Sequence, residues 1–145
     1  MNLPKYPVIV SNDRRIFEFF SEGPKGIIKK TVLYTPIQKD LYNLGFGDRI
    51  EGTQEVDDSN RTNNGDRDMV LATVASTIVA FTNRFPAVRI LIEGSTIART
   101  RLYQMAITDY LEEIKQDFDI QGFINHRWEI FHRGRNYSAF LIARK

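Results

Sequence analysis

The chain contains no cysteine, which excludes thiolate catalysis, disulfide bridges and cysteine-ligated zinc, and accords with a reducing compartment. Histidine is nearly as scarce, so any imidazole chemistry would have to use His126 and His132, the only two. No apolar run approaches the roughly 18 residues of a membrane-spanning helix. The opening residues Met1-Asn2-Leu3-Pro4-Lys5-Tyr6-Pro7 lack the apolar centre of a signal peptide. The expectation is a soluble, cytoplasmic protein without a membrane partner. The sequons Asn60-Arg61-Thr62 and Asn136-Tyr137-Ser138 carry no weight without secretion. Neither sign of charge dominates: the net of +2 does not by itself argue for nucleic acid.

What is present suits one globular domain spanning residues 1–145. At this length a chain buries roughly two thirds of its unfolded surface. Ten Phe, six Tyr and one Trp supply a core that needs neither disulfide nor metal. Charge is unevenly placed. Residues 48–68 hold seven acidic side chains against three Arg, a local net of −4 that leaves +6 on the rest. Within that stretch residues 51–65 are nearly free of apolar side chains and are expected as an exposed acidic loop.

Periodicity and turn chemistry predict the elements. Residues 6–10 suggest a further short edge strand, where Pro7 is tolerated; aromatic residues over 16–20 favour a strand, and Glu22-Gly23-Pro24-Lys25-Gly26 supplies a turn. Residues 27–34 form a second strand with Ile28, Lys30, Val32 and Tyr34 on one face. A third strand over 41–46 carries Gly45, with Gly47 following, and these glycines imply a large group close to the backbone. A helix is expected over 66–83, capped by Asp66, with Thr73, Ser76 and Thr77 as a narrow polar strip on an otherwise apolar surface. A buried strand over 88–93 ends in Gly94-Ser95-Thr96, and Ser95 or Thr96 caps a second helix reaching about residue 117. Strands over 123–131 and 137–143, joined by Arg133-Gly134-Arg135-Asn136, close the sheet. The reading is α/β, a mixed six-stranded sheet in the order β-β-β-α-β-α-β-β.

Three constellations could carry chemistry. Phe20-Ser21-Glu22-Gly23, Asp68-Met69 after Thr62-Asn63-Asn64, and Leu91-Ile92-Glu93-Gly94 resemble, in that order of elements, the ribonuclease H-like fold. The resemblance implies Glu22, Asp68 and Glu93 as catalytic and metal-binding carboxylates for Mg²⁺-dependent phosphodiester hydrolysis, although Glu22 stands where active members usually carry Asp. The second is Gly94-Ser95-Thr96 with Arg99 and Arg101. A strand running into a helix start offers backbone N–H groups and hydroxyls to an anion or nucleotide, and arginine adds bidentate contacts. The third is the run 126–135, where a straight strand puts His126, Trp128 and His132 on one face. At ~3.3 Å per residue the two imidazoles lie about 20 Å apart, too far to share a scissile phosphate. Lys29, Lys30 and Tyr34, and Arg127, Trp128, Arg133 and Arg135, are candidate nucleic-acid platforms. The alternative for Trp128 is packing between sheet and helix.

Ser21-Glu22-Gly23-Pro24-Lys25-Gly26, Asn63-Asn64-Gly65-Asp66, Gly94-Ser95-Thr96 and Asn136-Tyr137-Ser138-Ala139-Phe140 are similar to a family of short, uncharacterised bacterial proteins, which implies no activity. The residues therefore point first to an accessory or regulatory module binding another protein through its terminal hairpin and acidic loop. A ribonuclease H-like nuclease and an anion-binding domain are the alternatives.

Overall fold

A computed structural model describes residues 3–49, 56–57 and 65–145. Most of the expected acidic loop lies outside these residues. The described elements are β1 (Ile9–Val10), β2 (Ile16–Gly23), β3 (Gly26–Gln38), β4 (Leu41–Arg49), β5 (Val56–Asp57), α1 (Arg67–Arg84), β6 (Arg89–Ile92), α2 (Ile97–Asp109), α3 (Leu111–Asp117), β7 (Phe118–Ile124), β8 (Arg127–Ile130) and β9 (Ala139–Arg144). The strands hydrogen-bond in the order β1-β2-β3-β4-β6-β9-β7-β8, with β5 on β4. β4 and β6 run parallel, as a helical crossover between them requires. β1–β2, β2–β3, β4–β5, β6–β9, β7–β9 and β7–β8 are antiparallel.

The class is therefore mixed α and β, but the sheet is larger than the six strands expected. Two of the added strands have clear causes. Residues 123–131 do not form one strand. Asn125 and His126 take φ of 53° and 62°, making a two-residue hairpin turn that pairs Ile124 with Arg127. Phe118 and Ile120 alternate inward immediately after α3, so β7 starts five residues earlier than expected. At the other end, Ile9–Val10 adds a short edge to β2. The expected long second helix is also interrupted. Tyr110 has φ −116° and ψ 19° and separates α2 from α3.

Two compact units emerge. The first comprises Met1–Thr35 and Gly45–Arg84. Here α1 lies over the face of β2 and β3 that carries Phe17, Phe19, Lys30, Val32 and Tyr34, all buried. Tyr34 stacks on Phe81 with ring centres 4.1 Å apart, and Phe19 stacks between Tyr6 at 5.7 Å and Phe46 at 6.2 Å. Of the polar strip expected on α1, Thr73 and Thr77 point inward and Ser76 is half-buried. Thr73, Thr77 and Thr82 are fully buried, whereas Val79 is exposed. Each threonine donates to a carbonyl one turn back: Met69, Val74 and Ile78 respectively. That satisfies the hydroxyl inside the core. Gly45 does not mark a close approach, since an added Cβ would meet only the Leu33 carbonyl at 3.7 Å.

The second unit comprises Pro36–Leu44 and Phe85–Lys145. Ile90 and Ile92 of β6, Phe140 and Ile142 of β9, and Phe118 and Ile120 of β7 alternate onto one buried face. Gly122 of β7 is required by Tyr137, whose ring carbons would lie 2.3 Å from a Cβ.

Candidate functional site

The strand end at Ile92 feeds directly into the start of α2, and two threonines shape the junction. Thr96 has extended φ −134° and ψ 161°, and its hydroxyl accepts the Arg99 N–H at 3.1 Å, the ordinary N-cap arrangement. Buried Thr100 accepts the Gly94 N–H at 3.0 Å and donates to the Thr96 carbonyl at 3.1 Å. An added Cβ on Gly94 would sit 2.5 Å from the Thr100 nitrogen and 2.9 Å from the Arg99 carbonyl carbon. Only glycine lets the helix start press this closely on the strand end.

One wall of a cleft is thus formed by Gly94, Ser95, Thr96 and Ile97, continuing along α2 to Thr100, Arg101 and Gln104. The facing wall is Asn136-Tyr137-Ser138, and the enclosed volume is about 350 Å³. The walls are tied together. Arg101 donates to the Asn136 side-chain oxygen at 3.1 Å. Gln104 accepts the Tyr137 N–H at 3.0 Å and donates to the Arg135 carbonyl. Arg101 is the one charged residue of the lining, and the first turn of α2 holds no acidic side chain to offset its positive dipole end.

Gly94, Ser95, Thr96 and Arg101 thus line one cleft. Arg99 is partly buried and contributes its amide to the cap, but it is not in the lining. Gln104 was missed, although it follows Arg101 by one helical turn. Asn136 and Ser138 were missed as site residues because the facing wall is remote in sequence.

Beneath the cleft, the Tyr137 hydroxyl accepts the His132 N–H at 2.9 Å and donates to the Glu129 carboxylate at 2.8 Å, which Arg135 also holds at 2.8 Å. Burial raises the Tyr137 phenol above its usual range. His126 occupies the hairpin turn and His132 follows β8, so they do not share a straight strand face. Trp128 is not packed between sheet and helix: it is 39% exposed and meets Phe123 edge-on at 5.1 Å.

The first unit contains a different polar cluster. The Asp66 carboxylate accepts hydroxyls from Tyr6 and Ser21, each at 2.5 Å, while the Asp66 carbonyl starts α1 by accepting the Val70 N–H. Lys30, only 6% exposed, pairs with Asp48 at 2.6 Å. Lys30 and buried Tyr34 are thus core residues and do not form a platform with Lys29.

Glu22 ends β2 in an exposed position, Asp68 is exposed in the first turn of α1, and Glu93 is exposed after β6. Among the described residues no group of three or more His, Asp or Glu side chains is placed to hold a metal ion. The residues do not fit a Mg²⁺ held by three carboxylates. Among the described residues no helix is long and apolar enough to cross a membrane.

The fold and cleft define a mixed α and β domain with a half-open cleft at a strand-to-helix junction, lined by both polar and apolar surface. The chain belongs to the DUF6934 family of unknown function, which matches residues 2–145. No curated protein and no solved structure matches it.

Proposed function

We propose that the protein binds a small ligand through an anionic group, phosphate or carboxylate, in the cleft between the start of α2 and Asn136-Tyr137-Ser138. The supporting observation is the convergence on one 350 Å³ cleft of Ser95, Thr96 and Arg101 with Gln104, Asn136 and Ser138. The amides of the first helical turn have no carbonyl within the helix to bond, and the dipole end favours negative charge. Arg101 supplies the formal charge and Asn136 fixes its direction. Ser138 and Gln104 would read the polar remainder of the ligand. Calorimetric titration with inorganic phosphate, pyrophosphate and a nucleoside monophosphate tests this. Binding that weakens at least about tenfold in Arg101→Ala is expected, since a charge-assisted hydrogen bond contributes roughly 1.5–3 kcal/mol. Absence of binding to every anion, or binding indifferent to Arg101→Ala, would refute the reading.

The second reading is a protein-binding accessory domain whose contact surface is the terminal hairpin. Trp128 and Ile130 favour it, exposed by 39% and 73% on one face of β8. Loss of a stoichiometric co-purifying partner on Ile130→Lys is the expected result.

A further inference from the structure

We infer that β8 is a self-association edge, along which a second copy of this chain adds its own β8 antiparallel and extends the sheet. The inference rests on the second reading above, that the terminal hairpin is a contact surface, and names the partner.

β8 ends the hydrogen-bonded strand order, so among the described residues one of its edges faces no strand. The two-residue turn makes Ile124 and Arg127 a hydrogen-bonded pair, and alternation makes Gly122 and Glu129 the next. The Phe131 N–H bond to the Ile120 carbonyl continues that alternation. Odd-numbered residues of β8 therefore bond inward to β7, and the backbone groups of Trp128 and the N–H of Ile130 point outward, the Ile130 carbonyl already lying 3.5 Å from the Tyr137 hydroxyl. Such an edge is a template for another strand unless a charge, proline or bulge blocks it. On this edge the even-numbered side chains are Trp128 and Ile130, both apolar and exposed.

Charge selects the partner and the register. In an antiparallel pair of two β8 strands the outward groups allow alignments that differ by steps of two in the sum of paired residue numbers. Centring on Trp128 sets each Arg127 opposite Glu129 of the second copy, twice over. Moving one step either way sets Arg127 against its own copy or Glu129 against its own copy. Opposite charges stabilise a cross-strand pair and like charges directly opposite destabilise it. Glu129 already pairs with Arg135 of its own copy and accepts from Tyr137, so Arg127 of the second copy adds to a carboxylate that is held in place. The favoured register also places the only tryptophan beside its copy.

A ladder of three residue pairs is smaller than a standard stable interface, so the dimer is expected with a Kd on the order of 100 µM. Sedimentation velocity across that range should show the mass rising from monomer to dimer, with Trp128 emission shifting to the blue in parallel. Arg127→Glu and Ile130→Lys, both at exposed positions, should each raise the Kd at least about tenfold while leaving the melting temperature unchanged. A chain that stays monomeric, or a dimer indifferent to both substitutions, overturns the inference. If the purified chain stays monomeric yet holds a different protein in an Ile130→Lys-sensitive manner, self-association fails and the contact-surface reading survives. If it holds neither, both fail.

Discussion

Thr77 lies wholly inside the first unit, where its hydroxyl bonds the Val74 carbonyl at 2.7 Å and meets the Tyr34 hydroxyl at 2.9 Å. Replacing it with valine keeps the shape but leaves the buried Tyr34 hydroxyl without this partner. Thr77→Val should cost about 1–3 kcal/mol in urea unfolding, where a solvent-facing threonine would cost almost nothing. Tyr34 itself makes stability pH-dependent. Burial raises its phenol pKa above the ordinary 10.0, outweighing the lowering effect of the Thr77 bond. Below about pH 10 the folded and unfolded chains hold this proton alike. Above it the unfolded chain releases the proton while the folded chain retains it, so stability falls as pH rises. Tyr34→Phe should flatten that alkaline decline in unfolding free energy measured between pH 9 and 11; an unchanged slope would place its cause elsewhere. At Gly94 the spacing leaves no room for a methyl group. Gly94→Ala should cost about 1–3 kcal/mol, as overpacking typically does, and should weaken anion binding by displacing the helix start.

Among the elements, the hairpin β7–β8 and the segment leading to β9 depend on a single phenol. Tyr137 joins the His132 amide to the Glu129 carboxylate and fills the space above Gly122. Tyr137→Phe keeps the ring and removes both bonds. The expected loss is about 1–3 kcal/mol, with faster amide exchange at His132; native exchange there would show that the hydroxyl is dispensable. Several elements were legible because their chemistry is local. The aromatic run in β2 and the Thr96 cap of α2 are examples, whereas the Asp66 carboxylate expected to cap α1 takes hydroxyls from the distant Tyr6 and Ser21. The β7–β8 turn was not legible: its two left-handed positions carry Asn125 and His126, where the usual hairpin signal has glycine second. The break at Tyr110 is likewise silent in sequence, since no proline or glycine marks it.

For the molecule as a whole, two compact units share a chain of modest charge. With a net of +2 and a pI of about 8.9, repulsion between copies is weakest near pH 9. Solubility measured by polyethylene glycol precipitation should be lowest there, and a minimum below pH 6 would point to a surface charge governed by groups outside this count. The cleft also belongs to this scale. Gly94-Ser95-Thr96 and Arg101 were legible because a strand running into a capped helix is a local pattern. Asn136 and Ser138 were not, because 35 residues separate Arg101 from its partner Asn136.

The sequence by itself determined the mixed α and β class, most of the strands, both crossover helices' starting points and one wall of the cleft. Each of these follows from local conformational preference and from the period of the apolar side chains. Tertiary structure alone decided which way ambiguous surfaces turn. Thr73 and Thr77 read as part of a polar strip, yet they are buried because each can bond its own helix backbone. Lys30 reads as a solvated strand residue, yet it is buried because Asp48 lies opposite it. Trp128 reads as core, yet it stands on an open edge. In each case the deciding partner lies elsewhere in space, and periodicity reports only that a face exists.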